Sequence, residues 1–188
     1  LDIYLPVALK AKIQIIRHDC QFKIISFEPK LFTATPMKLP TLNFPDADLR
    51  FKNINGRVHV FDVSRKKYVM LTPEEWVRQR CLHYLRDYKN YPGSLLSVEK
   101  GIKVNSREFR YDIVAYGKTA NPLLLVECKA PEVKIDQKVF DQIAVYNFEL
   151  KVPYLLVTNG VQHYCCRVNF DSRDYNFLRE VPDYTEAV

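Results

Sequence analysis

Arg110-Tyr111-Asp112-Ile113-Val114, followed by Leu124-Leu125-Val126-Glu127-Cys128-Lys129, decides the fold of this chain. Both stretches are rich in Val, Leu, Ile and Tyr, with a turn over Lys118 to Pro122 between them, so they read as two strands of a hairpin. Side chains alternate along a strand, which sets Glu127 and Lys129 on one face and Cys128 on the other. Carboxylates and lysines rarely enter apolar strands unless they are paired or bind a metal. One reading is a cross-strand ion pair on a half-exposed sheet. The other is a small divalent-metal site built from Asp112, Glu127 and Lys129.

The second reading has coherent chemistry. Mg²⁺ takes oxygen ligands and keeps several waters, so one or two carboxylates and a substrate phosphate suffice. Asp112 and Glu127 supply the carboxylates, and the backbone carbonyl of Cys128 is a further candidate ligand. A metal-bound water deprotonates more easily, and the metal offsets charge on phosphoryl oxygens. Lys129 would sit beside the attacking water or the scissile phosphate. Further on, Asp136 to Lys151 reads as a helix, with Val139, Phe140, Ile143, Ala144, Tyr146 and Asn147 near helical spacing. Gln142 and Tyr146 are four apart and share a face, from which they can reach a sugar–phosphate backbone. The plainer reading of Tyr146 is a core ring with its hydroxyl at the rim.

Asp112, then Glu127-Cys128-Lys129, then Gln142-x-x-x-Tyr146 resembles the PD-(D/E)XK nuclease superfamily, in the branch with the Q-x-x-x-Y motif. The chain is most similar to the family of type I restriction enzyme R-subunit N-terminal domains, which also occur as small stand-alone bacterial proteins. The stretches that carry the likeness are Leu71-Thr72-Pro73-Glu74-Glu75-Trp76-Val77-Arg78-Gln79, Arg110 to Val114, Leu125-Val126-Glu127-Cys128-Lys129-Ala130-Pro131, Asp141-Gln142-Ile143-Ala144, and Val157-Thr158-Asn159-Gly160 before His163-Tyr164. It covers roughly Met37 to the C-terminus. The proline usual before the first acid is Tyr111 here. The resemblance implies a Mg²⁺-dependent DNA endonuclease, with Mn²⁺ as a possible substitute. It implies Asp112, Glu127 and Lys129 at the centre, and Gln142 and Tyr146 on DNA. It also implies an acid on the first core helix. There Thr72 reads as the N-cap and Pro73 as the first helical position. Glu75 then falls at the capping-box position and Glu74 on the face of Val77 and Cys81, so Glu74 is assigned to the site and Glu75 to the cap. The alternative is that both are acids favoured by the helix dipole.

Turn and period signals give the element order. Leu49 to Asn53 and Arg57 to Phe61 form an N-terminal hairpin on the Asn55-Gly56 turn. Tyr68 to Leu71 is extended, and Pro73 to Tyr88 is helical up to Tyr91-Pro92-Gly93. Leu95 to Glu99, Glu108 to Ala115 and Leu123 to Lys129 are successive strands. The Gln142 helix follows, then a buried strand over Tyr154 to Val157, parallel to that of Glu127, and an edge strand over Gln162 to Val168. This is an α/β order, α-β-β-β-α-β. The resemblance makes it a restriction-endonuclease-like three-layer core, a central mixed sheet flanked by helices.

Composition is permissive. The 188 residues, 47% apolar, make one domain with a real core. The net charge of +6 is mild, and Arg65-Lys66-Lys67 is the densest basic cluster, read as a solvated loop that can touch phosphates. Cys20, Cys81, Cys128, Cys165 and Cys166 show no Cys-x-x-Cys spacing, and the simplest account is a reduced, cytoplasmic protein. His18, His59, His83 and His163 form no ligand set, and there is no Gly-rich phosphate loop, Ser-His-Asp arrangement or apolar run of transmembrane length. Residues 1–36 are apolar and basic without steady periodicity. They read as an extension, with Met37 as the native start and 37–188 as the nuclease-like domain. The alternative is a native hairpin over Lys12 to Ile16 and Phe22 to Phe27.

Three functions compete on this reading: a metal-dependent DNA nuclease, a nucleic-acid- or partner-binding module that keeps the fold without cutting, and another hydrolase or transferase reusing the carboxylates. DNA is the expected partner of the first, together with restriction–modification subunits or a second copy of the chain.

Overall fold

The Asn55-Gly56 turn starts the architecture. Both residues take positive φ (53° and 79°), the conformation a two-residue hairpin needs to match strand twist. The turn joins β1 (Phe51–Ile54) to β2 (Arg57–Asp62), and β3 (Lys67–Met70) adds an antiparallel third strand. A computed structural model describes residues 39–104 and 107–188; side chains of 102–104, 107–109, 138, 142, 145, 146, 148 and 149 lie outside that description. So do all readings made for residues 1–36, and the Met37 start with them. Leu39–Val188 forms one compact unit.

Helix α1 (Pro73–Asp87) begins as its residues dictate. The Thr72 hydroxyl accepts the Glu75 amide at 3.0 Å, and Pro73 stands at the first turn, where no amide hydrogen is needed. A 3-10 turn (Gly93–Leu95) leads to β4 (Leu96–Val98), then β5 (Gly101–Val104), β6 (Arg107–Arg110), β7 (Ile113–Tyr116) and β8 (Pro122–Cys128). Helix α2 (Gln137–Leu150) is capped by the Asp136 side chain on the Val139 amide (3.0 Å) and ends at Lys151 in the left-handed conformation (φ 54°). Then come β9 (Tyr154–Thr158), β10 (His163–Asn169), β11 (Asp174–Leu178) and the short α3 (Tyr184–Ala187).

The large sheet has six strands in the order β11-β10-β9-β8-β7-β4. Only β8 and β9 run parallel, with α2 as the crossover; their neighbours are antiparallel. Period-two alternation divides its side chains between two cores. Ile113, Ala115, Leu124, Val126, Leu156 and Cys165 pack in one core with Val77, Cys81, Leu82 and Leu85 of α1 and Val60 of the small sheet. Val114, Leu125, Leu155, Val157, Cys166 and Val168 pack in the other with Phe140, Ile143 and Ala144 of α2. Each of the Val, Leu, Ile and Phe side chains among them contributes about 1.5–3 kcal/mol when fully buried. Adjacent Cys165 and Cys166 fall in opposite cores, as alternation requires, and Cys81, Cys128, Cys165 and Cys166 are all free and buried.

Two expectations need correction. The continuous strand over Glu108 to Ala115 breaks at Tyr111-Asp112. Its first half pairs with β5 as a separate two-stranded hairpin, and its second half is β7. The apolar pattern runs across the break, but the Asp112 carboxylate takes the Cys128 amide at 2.6 Å, so a side chain replaces the ladder there. The strand over Gln162 to Val168 is not an edge, because β11 pairs along its outer side from Cys165–Leu178 to Asn169–Asp174.

Candidate active site

Asp112 lies in the bend before β7, one position beyond the Ile113–Val126 pair that aligns β7 with β8. Its Oδ2 accepts the Cys128 amide (2.6 Å), which fastens the carboxylate to the backbone between Glu127 and Lys129. Its Oδ1 accepts from Arg78 twice, Nε at 3.0 Å and Nη2 at 2.6 Å. Glu127 and Lys129 pair directly, Nζ to Oε1 at 2.8 Å, and the Lys129 amide donates to the Thr158 carbonyl at 2.8 Å, which extends the β8–β9 pairing by one residue.

Burial pushes the Glu127 carboxyl above its ordinary range. The negative charge of Asp112 adds to that push, and the Lys129 ammonium opposes it. For Lys129, burial disfavours the charge but the bond to Glu127 more than reverses this, so its pKa is raised. Burial also works against the Arg78 charge, and Asp112 and Glu75 overcome it, holding the guanidinium firmly charged. Asp112 and Glu127, close enough for the charge of Asp112 to disfavour ionisation of Glu127, are the carboxylates here that could hold a hard divalent cation. Mg²⁺ needs no more than this with its waters. Among the described residues, no three His, Cys, Asp or Glu side chains gather into a metal cage.

The first helix differs from expectation. Glu75 does not close a capping box. Its carboxylate is buried and bonded to Arg65, Arg78 and Gln79, the last at 2.8 Å. Glu75, Arg78, Gln79 and Leu82 share one inward face, so the acid turns to its cationic partners rather than back to the Thr72 amide. Glu74 is 45% exposed and meets Asp112 through Arg78, whose Nη2 also bonds Glu74 at 2.9 Å. Its charge also reaches Glu127 and Lys129. The structure therefore brings Asp112, Glu127, Lys129 and Glu74 together, with Arg78 among them. Gln142 and Tyr146 lie on α2 as expected, with side chains outside the described residues.

Sequence reading missed the polar cluster behind this group. Asp62, fully buried, accepts from Arg65 Nε (2.7 Å), Gln79 (2.7 Å) and the Ser64 amide (2.8 Å). Arg65 also pairs with Glu75 and Glu99, so it is no solvated loop residue. The available signal was polar residues at 75, 78 and 79, where an apolar stripe should run. His163 is structural, with Nδ1 2.8 Å from Thr158 Oγ1 and its ring 4.4 Å from that of Phe44.

The family profile described as type I restriction enzyme R protein N terminus matches residues 73–182. That is more than half of the chain, and it spans Glu74, Glu75, Arg78, Asp112, Glu127 and Lys129. The chain belongs to this family. No curated protein matches it. Among solved structures, a fragment of a putative HsdR subunit of a type I restriction enzyme from Vibrio vulnificus YJ016 is similar. The identity is 17%, over 54% of this chain and 21% of that one, with a TM-score of 0.39. The chain thus spans about a fifth of that fragment's length. As a type I restriction enzyme R protein N-terminal domain, it is a mixed α/β protein. No helix among its described residues is long and apolar enough to cross a membrane.

Proposed function

We propose that this domain is a Mg²⁺-dependent DNA endonuclease of the PD-(D/E)XK type, hydrolysing phosphodiester bonds. The observation that carries the reading is the Asp112 carboxylate bonded to the amide of Cys128, between Glu127 and its partner Lys129. The order α1, β4, β7, β8, α2, β9, with the β5–β6 hairpin inserted, agrees with a restriction-endonuclease-like core.

Asp112 and Glu127 would hold the metal with the Cys128 carbonyl. The metal supplies an activated water and charge stabilisation at the phosphate. Lys129 can leave Glu127 for a phosphoryl oxygen or orient the attacking water, since its ammonium stays charged. Arg78 holds Asp112 in place, and Glu74 and Glu75 hold Arg78. Gln142 and Tyr146 are assigned to the DNA strand. Partner subunits of a restriction–modification system, or a second copy, would act with this domain in selecting the target.

A second reading, a non-catalytic module that keeps the fold, is favoured by one observation. Asp112 is balanced by Arg78 and Glu127 by Lys129, so the acids have internal partners. The test is purified protein with Mg²⁺ or Mn²⁺ on linear, supercoiled and single-stranded DNA, beside Glu127→Ala. Cutting that disappears in the variant supports the nuclease. Metal-dependent cutting retained by the variant removes the site assignment. Absence of metal binding and cutting together selects the module.

A further inference from the structure

The outer face of the small sheet is basic and aromatic. Register places Lys52, His59 and Met70 in one row across the three strands. Phe61 and Tyr68 form the next row, and Arg50 lies beside them because its carbonyl accepts the Phe61 amide at 2.9 Å. Phe51, Val60 and Val69, which alternate with these rows, pack into the core behind α1, so the first set faces outward. Asp62 is the only acid in the three strands, and it is buried against Arg65 and Gln79. Arg50, Lys52, Arg57, Lys66 and Lys67 are all exposed around the face.

The rings hold the cations. The Arg50 guanidinium lies 3.9 Å from the Phe61 ring centroid, and the Lys52 ammonium is 5.7 Å from that of Tyr68. Arg57 Nη1 lies 3.8 Å from the Met70 sulfur. A cation stacked on a ring keeps its charge while losing side-chain freedom, so a phosphate that meets it costs less ordering. The Phe61 ring, under the Arg50 guanidinium, is poorly placed to stack on a base. The surface therefore fits a backbone of closely spaced phosphates rather than unstacked bases.

We infer that the outward face of β1–β3, through Arg50, Lys52 and Arg57, is a sequence-independent docking surface for the phosphate backbone of duplex DNA. The choice of nucleic acid rests on the nuclease reading above. The location rests on charge complementarity alone. Residues 1–36 of the chain are a poor alternative occupant, since five lysines and arginines there outnumber three acids.

The experiment is fluorescence anisotropy of a labelled duplex of arbitrary sequence with the full chain carrying Glu127→Gln, in EDTA, across a salt series. No cutting is possible there, so the result is independent of whether the nuclease assignment holds. The combined Arg50→Gln, Lys52→Gln, Arg57→Gln variant should bind at least about tenfold more weakly. Its log–log salt slope should flatten by about two to three, near one per lost phosphate contact. Lys118→Gln, Lys151→Gln, Arg173→Gln, at exposed positions elsewhere, should leave both unchanged. Arg50→Glu alone should weaken binding in the same direction, which guards against misfolding of the combined variant. Equal losses in both triple variants would mean only net charge matters, and would overturn the surface. So would an unchanged slope, absence of duplex binding, or preference for single strands.

Discussion

At Glu127, the physics of stability and of the proposed activity point in opposite directions. Its carboxyl is raised by burial first and by Asp112 second, so ionisation in the folded state is unfavourable. A raised carboxyl carries its cost above its folded pKa and is relieved as pH falls through it. Glu127→Gln should therefore give a metal-free Tm at neutral pH equal to or above that of the parent, read by differential scanning fluorimetry. The same variant should lose any Tm rise caused by Mg²⁺. A marked fall in the metal-free Tm would show that the bond to Lys129 outweighs the repulsion. If Glu127 holds Mg²⁺ as proposed, metal and protons compete for this carboxyl, so the Tm rise in the parent should fade as pH drops through its raised value. Arg78 is the opposite case. Its guanidinium is 6% exposed and neutralises buried acids. Arg78→Met should cost about 3–5 kcal/mol in urea unfolding, since Asp112 would lose its guanidinium partner and Glu75 would keep only Arg65 and Gln79. A loss below about 1 kcal/mol would mean the pairs behave as surface ion pairs.

At the scale of elements, α2 and its connection to β9 depend on one polar residue. Asn147, fully buried, donates to the Val152 carbonyl (2.8 Å) and accepts the Val152 amide (3.3 Å), closing the turn past Lys151. Asn147→Ala should cost about 1–3 kcal/mol for orphaned backbone groups, measured by urea denaturation. Asn147→Asp should restore one of the two bonds, whereas an Ala variant of full stability would leave the turn to the backbone alone. Helical spacing had marked position 147, but not why a polar residue belongs there. The same division holds elsewhere. α1, α2, β8 and β9 were legible because long periodic runs and caps are local signals. The break at Tyr111-Asp112 was not, because an amide sixteen residues away decides it. β11 was missed because its strand, exposed at Asp174, Asn176 and Phe177, has no clean alternation to read. Within the site, Asp112, Glu127 and Lys129 stood out as polar residues in apolar strands. Arg78 and Arg65 did not, because their roles depend on partners that only the tertiary fold supplies.

Across the whole molecule, Arg65 ties together segments that share little sequence neighbourhood. It bonds Asp62 at the end of β2, Glu75 on α1 and Glu99 after β4. The small sheet also contributes Val60, with Phe51, Val58 and Val69, to the core behind α1, so it has an apolar anchor as well as a polar one. The two anchors differ in what their loss does. Removing apolar contacts weakens burial in proportion to area, but removing Arg65 leaves Asp62 fully buried with only Gln79 and nearby amides for its charge. Arg65→Met should therefore cost about 3–5 kcal/mol. The effect should also be local before it is global. Amide hydrogen exchange should accelerate first in β1–β3 and in the first turn of α1, while β8 and β9 stay protected up to the global unfolding free energy. If exchange instead rises uniformly across both sheets, the apolar anchor alone holds the small sheet in place. If only β1–β3 quickens and metal binding at Asp112 weakens with it, the arginine network transmits the position of the outer strands to the carboxylate through Glu75 and Arg78.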